Sequence, residues 1–332
     1  MRARMWLAAV GVAAIGAADA AHGQKKHLNP MIELHVQKKP IFGLYAPANP
    51  RGRGNRAGAA AAAPATPPPA PPVVKTPAEL AKDALAYDKS DFVFDGSMER
   101  GLDPAIGPFT ELVNGLAAAA PPDVRWRHPL SLKTPRISTD PAKAIDNISR
   151  QLNTGAATIV FVDVESADEL KQGLAAMRFK AKGGTRPDAV GDAPKYWGLS
   201  EKDYRDKADL WPLNPNGELT SWAIVESKAG LAKVREIAAV KGLGVLFPGA
   251  GTLRGVFTAT GADGQRTFDA AGWEAAIQSV LAACKELNVP CGYPATEADI
   301  ETRMQQGFSV FIMGWGDAGF RAIDIGRKAA GR

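Results

Sequence analysis

Short apolar runs recur along this chain, and each closes abruptly on a glycine, a proline or a charged residue. Ile224-Val225 ends on Glu226, and Gly244-Val245-Leu246-Phe247 ends on Pro248-Gly249-Ala250-Gly251; the stretch between them, Lys228 to Lys241, reads as a helix. The same alternation extends in both directions. Ile41-Phe42-Gly43-Leu44-Tyr45, Phe92-Val93-Phe94, material within 124–137 and Thr158 to Val164 read as strands. So do Trp222–Val225, Leu243–Phe247, Val289–Tyr293 and Phe308–Met313. Helices are predicted from Thr76, Asp103-Pro104, Asp140-Pro141 and Ser166, and again over Phe268–Leu287, Glu297–Gln306 and Phe320–Ala330. Thr76-Pro77-Ala78-Glu79 has the pattern of a capping box, in which the Thr hydroxyl and the Glu carboxylate satisfy each other's backbone amides. Residues 180–219 read as irregular, with a short helix at Glu201–Leu210.

Continuous apolar strands alternating with helices imply a parallel sheet covered on both faces. Eight such units predict a closed (β/α)₈ TIM barrel rather than an open doubly wound sheet. No Gly-x-Gly-x-x-Gly follows the first strand, which argues against dinucleotide binding. The barrel is expected as a single domain over residues 41–330, with 21–40 as an extended lead-in. Residues 50–75 hold Arg, Gly, Ala and Pro with almost no core formers. Such a composition cannot bury enough surface to offset its ordering entropy, so a disordered insert after the first strand is predicted.

Residues 1–20 have the layout of an export signal: Arg2 and Arg4, then the apolar stretch Met5 to Ala18, then Ala18-Asp19-Ala20. The stretch is shorter than the roughly 20 residues a bilayer span needs. A periplasmic or secreted location, with no membrane span after cleavage, is the expectation. Cys284 and Cys291 are the only cysteines. One falls near the end of a predicted helix and the other just inside the next strand, and they read as two buried thiols rather than a pair. The net charge of +5 is spread out, without a basic stripe interleaved with aromatics, which excludes nucleic acid as the expected partner. His128, beside Pro129, reads as a loop residue, and Trp315 and Phe247 as packing residues.

Several of these segments together resemble the HpcH/HpaI type of 2-oxo acid aldolase, related to the citrate lyase β chain. They are Phe42-Gly43-Leu44-Tyr45, Asp91 to Gly96, Pro135-Arg136 before Asp140-Pro141, and Ala167-Asp168-Glu169-Leu170. Arg178-Phe179, Ile224-Val225-Glu226 and Gly314-Trp315-Gly316-Asp317 complete the set. The resemblance implies a phosphoenolpyruvate/pyruvate-type barrel and a carbon–carbon lyase that cleaves or forms a small 2-oxo acid such as pyruvate. It also implies Mg²⁺ or Mn²⁺ acting as a Lewis acid on the oxo acid. Glu226 matches the family's metal-binding Glu, and Arg136 is the best match to the Arg that stabilises oxyanion charge, with Arg125 and Arg127 as rivals. Asp95 opens the second-strand motif, but Ser97 and Met98 stand where that motif has Glu and His, with Glu99 one place later. The Gly-Pro-Ala-Asp metal motif appears as Gly249-Ala250-Gly251-Thr252, so one metal carboxylate is replaced by Thr252.

The expected site is therefore Glu226 for a weakly held metal, with Asp95, Glu99 and Arg136 as catalytic residues and Gly249, Ala250 and Gly251 as backbone donors to a carboxylate. Asp163 and Glu165 are further candidates for a second metal carboxylate. A small oxo acid is the expected partner, and assembly with identical copies is left open. The rival reading is a degenerate barrel that binds a small carboxylate outside the cytoplasm without turning it over. A metal-independent reaction through Asp95 or Glu99 is a third.

Overall fold

The computed structural model describes residues 26–49 and 74–332. The expected signal segment, and all but the last two residues of the expected insert, lie outside the described residues.

Eight parallel strands wind into a nearly closed barrel. They are β1 Ile41–Tyr45, β2 Val93–Asp95, β3 Leu130–Thr134, β4 Thr158–Phe161, β5 Thr220–Val225, β6 Val245–Pro248, β7 Gly292–Pro294 and β8 Val310–Met313. Around the barrel each strand pairs with its sequence neighbour from β1 to β6, β8 pairs with β1, and β7 pairs with β8. The remaining seam, between β6 and β7, is closed by a single parallel bridge, Leu246 to Cys291, with Leu246 N–H donating to Pro290 O at 3.0 Å. All eight expected strands are present, and each expected helix is present within a few residues of its predicted limits. The stretch Lys228–Lys241 is broken into Lys228–Ala232 and Val234–Ala238.

Strand alternation produces two cores. The barrel interior is packed with Ile41, Phe92, Phe94, Val160, Trp222, Ile224, Val245, Phe247, Val310 and Ile312. Trp222 is fully buried there, with its ring 5.0 Å from Phe92 and 5.4 Å from Phe247. Two inward positions must stay small beside these rings: a Cβ on Gly43 would lie 2.2 Å from Phe92, and one on Gly292 2.1 Å from Phe247. The opposite strand faces carry Phe42, Leu44, Leu130, Leu132, Ile159, Phe161 and Leu246 into the layer shared with the helices. Phe247 is thus core, as expected, and Trp315 packs at the rim against Tyr87 and Phe320.

Three features depart from the sequence reading. The described part of the expected lead-in, residues 26–40, does not simply run extended, because Asn29 caps a helix over Pro30–Val36 by accepting from Met31 N–H. That helix is amphipathic over its short length and inserts fully buried Met31 into the interior core. An antiparallel hairpin, Thr258–Thr260 with Arg266–Phe268, follows the helix after β6. Lastly, Cys284 and Cys291 form a disulfide, with Cα atoms 5.7 Å apart, instead of remaining thiols. The helix Ala270–Leu287 ends on Asn288 in the left-handed conformation (φ 53°), and Val289 N–H returns to Cys284 O at 2.9 Å. This reversal folds the strand directly back on the helix end, which the linear spacing of seven residues does not reveal.

Candidate active site

Because all eight strands are parallel, residues that follow the strands gather at one end of the barrel, where βα loops build sites in this architecture. Asp95, Arg136, Glu226 and Gly249 all stand at this end, as expected from the runs that precede them. So do Asp163 and Glu165, which follow β4.

Glu226 is the best-defined member. Its side chain is anchored by the β4 loop: Oε1 accepts from Asp163 N–H at 3.0 Å. Gly249 makes this possible. A Cβ there would lie 2.3 Å from Glu226 Cβ and 2.6 Å from Oε2, so only glycine lets the end of β6 close on the carboxylate. The residue is 6 % exposed, and burial raises its carboxyl above the ordinary range. The Thr252 hydroxyl and the charge of Lys133 act in the opposite direction.

Asp163 takes the left-handed backbone conformation (φ 48°), which Asp tolerates better than most residues. One of its carboxylate oxygens meets Arg136 at 2.7 Å, while Oδ1 is buried without a partner. Arg136 also pairs with Glu165 Oε2 and donates from Nε to Ser138 Oγ at 2.7 Å. Glu165 in turn accepts from Ser227 Oγ at 2.7 Å. Arg136 therefore fastens the loop after β3 to the loop after β4, and Ser227 extends the network to β5. Three of its five N–H groups serve this network, leaving two for a ligand.

The second cation of the mouth was not singled out from sequence. In β3, Leu130 and Leu132 face the helices, so Lys133 projects with Ser131 towards the barrel axis. Lys133 is largely buried, with 14 % of its side chain exposed, and pairs with Glu99 at 2.9 Å. Its stem passes Gly96, where a Cβ would approach both Lys133 Cδ and the Tyr45 ring at 3.5 Å. Its charge reaches Tyr45 and Glu226, and the Tyr45 hydroxyl is raised above its usual range chiefly by burial. The strand period carried the signal: a lysine one residue inside an apolar strand, in phase with the interior. The resemblance points instead to an arginine after the strand.

The other expected residues divide. Asp95 accepts from both Ser97 N–H (2.8 Å) and Ser97 Oγ (2.5 Å), the geometry of a turn. Glu99 is at the mouth, bound to Lys133. Met98, in the place of the resemblance's histidine, is fully buried in the outer core against Gln151 and does not face the mouth. Gly249 N–H is bonded to Val225 O, whereas the amides of Ala250 and Gly251 open a short helix and have no intrahelical acceptor. His128 precedes β3 and so lies at the opposite end, buried, with burial lowering its imidazole below the usual range.

Hard divalent cations need a shell of oxygen ligands with enough carboxylate charge. Among the described residues no three His, Cys, Asp or Glu side chains come together as such a shell. Glu226 accepts from the Asp163 amide, Glu99 is paired to Lys133, and Asp163 Oδ2 and Glu165 are paired to Arg136. The donor set does not fit Mg²⁺ or Mn²⁺.

A parallel eight-stranded barrel with acids and cations collected at the C-terminal ends of its strands has the layout on which barrel enzymes build their sites. Comparison with known proteins narrows this. The chain belongs to the HpcH/HpaI aldolase/citrate lyase family, whose model matches residues 133–317. It is 30 % identical over 145 residues to a hydroxypyruvate/pyruvate aldolase of Sagittula stellata, an alignment covering 44 % of this chain and 52 % of that one. It is 26 % identical over 165 residues to a 2-dehydro-3,6-dideoxy-6-sulfogluconate aldolase of Pseudomonas putida, covering 49 % and 58 %. The chain thus spans about half the length of the curated relatives it matches. Among solved structures, an HpcH/HpaI aldolase/citrate lyase family protein from Burkholderia cenocepacia superposes with a TM-score of 0.62 at 20 % identity, over 91 % of this chain and 97 % of that one. At that identity the likeness concerns the fold.

Proposed function

We propose that this protein is a carbon–carbon lyase of the aldolase type, acting on a small 2-oxo acid such as pyruvate. The observation that carries the reading is the buried Glu226 at the end of β5, at the same barrel mouth as the cations Lys133 and Arg136, in a barrel of this family. Aldol cleavage of a 4-hydroxy-2-oxo acid removes the proton of the C4 hydroxyl and breaks C3–C4. The electron pair moves to the C2 oxygen as an enolate, and protonation at C3 then yields pyruvate. A group that takes a proton near neutral pH and a positive charge beside the C2 oxygen are the two requirements. A carboxyl raised by burial suits the first, and a cation at the mouth suits the second. The two N–H groups left on Arg136 suit the substrate carboxylate.

The Mg²⁺ or Mn²⁺ implied by the resemblance finds no matching donor set among the described residues. An extracytoplasmic location fits the Cys284–Cys291 disulfide, a cross-link that persists in oxidising compartments. The second reading, a barrel that binds a carboxylate without turnover, draws support from Met98, buried where the family motif has a histidine.

The test is release of pyruvate from 4-hydroxy-2-oxo acids, coupled to lactate dehydrogenase, beside pyruvate binding followed by NMR. Turnover in the wild type, lost in Glu226→Gln, supports the lyase. Binding without turnover by any 4-hydroxy-2-oxo acid moves the protein to the second reading. Absence of both refutes the site.

A further inference from the structure

We propose that the barrel carries a second ligand site at its N-terminal end, for a small organic anion with an apolar body such as an aromatic carboxylate. The site is a cavity of about 530 Å³ bordered by residues that precede β1, β6, β7 and β8. Small-molecule pockets commonly span roughly 300–1,000 Å³. The cavity lies across the barrel from Glu226 and Arg136, so it stands apart from the lyase reading.

The walls supply the apolar part. Leu243, Leu281 and Pro290 line the cavity beside the Cys284–Cys291 disulfide, together with the His35 imidazole stacked on the Trp211 ring, 5.7 Å between centroids. The charge around it is of one sign. Lys38, Lys39 and Lys285 line the cavity and no carboxylate does. Among the described residues none of the three ammonium groups is paired with an acid, and Glu286, beside Lys285 in the chain, is bonded to Arg235 instead.

The backbone brings these lysines to the cavity. Lys38 takes the left-handed conformation (φ 53°) just past the end of the helix Pro30–Val36, a position that favours glycine or asparagine. Lys38 N–H donates to His35 O at 3.0 Å and Lys39 N–H to Leu34 O at 2.9 Å, which fixes the turn carrying both. On the far side of the chain's fold, a Cβ on Gly307 would lie 2.9 Å from Lys285 Cε and 3.5 Å from its Nζ. The Lys285 stem therefore lies along the Gly307 turn, which borders the same cavity. Like charges gathered at one cavity repel each other, and apolar walls strengthen the attraction for a counter-charge that enters. A carboxylate would accept charge-assisted hydrogen bonds from the ammonium groups, and its ring would cover the apolar wall. Such a ligand would tie the helix Pro30–Val36 to the strands that close the barrel.

The experiment titrates phenylacetate into the whole protein by calorimetry, beside acetate, which has the charge alone, and benzyl alcohol, which has the ring alone. Lys38→Gly, which suits the backbone at that position, and Lys285→Gln are tested in parallel after thermal melting confirms that they fold. Lysine acetylation by acetic anhydride, mapped by mass spectrometry, locates the bound probe. Phenylacetate is expected to bind, and to bind each variant about ten-fold more weakly, the loss of one charge-assisted hydrogen bond. Acetate and benzyl alcohol should each bind more weakly than phenylacetate by at least that factor. Phenylacetate should raise the thermal midpoint and slow acetylation of Lys38, Lys39 and Lys285, and excess pyruvate should change neither effect. Absence of phenylacetate binding overturns the inference. So does equal binding of benzyl alcohol, binding that both variants retain in full, or displacement by pyruvate, which would put the probe at the mouth. None of these results bears on pyruvate release, so the lyase reading stands or falls separately.

Discussion

Gly249→Ala isolates the geometry of the site from its chemistry. Gly249 has φ −73° and ψ 66°, a backbone that alanine tolerates, so the substitution acts only through the added methyl group. That methyl would sit 2.3 Å from Glu226 Cβ, 2.6 Å from its Oε2 and 3.0 Å from Ile224 Cγ2. Carbon atoms in ordinary contact lie about 3.5–4.0 Å apart, so the pair must separate by about 1.2 Å or more. The nearest atom, Glu226 Cβ, is fixed by its own backbone, so the end of β5 and the turn after β6 must part against the Gly249 N–H to Val225 O bond, carrying the Glu226 carboxylate with them. Overpacking of this kind costs about 1–3 kcal/mol, which urea denaturation would read. Misplacing a catalytic group by about 1 Å can cost on the order of 100-fold in rate. The expected variant is folded, modestly destabilised and about 100-fold slower in pyruvate release, with its thermal transition still cooperative. Unchanged turnover with the same stability loss would show that the position of Glu226 does not matter and would remove it from the site.

Two further outcomes follow from the same structure. Burial raises the Glu226 carboxyl, so the folded state holds that proton more tightly than the unfolded chain. This stability is present below the ordinary carboxylate range and is lost as pH rises through the folded value, so Glu226→Gln should be more stable than wild type at pH 7 and no more stable at low pH, read from paired urea titrations. Reducing the Cys284–Cys291 disulfide reopens a loop with a sequence separation of seven, and should cost about 2 kcal/mol by denaturation while leaving any pyruvate binding at the opposite end of the barrel unchanged.

The barrel was legible because its strands are buried on both faces and read as unbroken apolar runs between capped helices. The capping box at Thr76–Glu79 forms as its spacing dictates. What escaped was written in weaker patterns. The helix Pro30–Val36 lies among lysines and histidines and is fixed by one cap and one inserted methionine. The hairpin at 258–268 is largely exposed and polar, with no apolar period to announce it. The cysteine pair depends on a left-handed Asn288, a conformation that residue identity permits but does not compel. At the site, Glu226 and the closeness of Gly249 could be anticipated from strand ends. The engagement of Arg136 with two carboxylates, and the inward turn of Lys133, depend on which loops become neighbours. Met98 shows the same limit from the other side: its neighbours in the motif are at the mouth, but its own side chain belongs to the core.

The seam between β6 and β7 has a consequence for how the chain reaches its final form. Strands β1 to β6 are joined in sequence order, so they can associate as a growing open sheet while the chain emerges from its N-terminus. The β7–β8 pair is made last, yet it must lie against β1 on one side and β6 on the other. Until then both edges of the sheet present unpaired amides and carbonyls, which invite pairing with other chains. The interval of greatest vulnerability to aggregation is therefore the one before β7 and β8 dock, and it ends when β8 pairs with β1 and β7 bridges to β6.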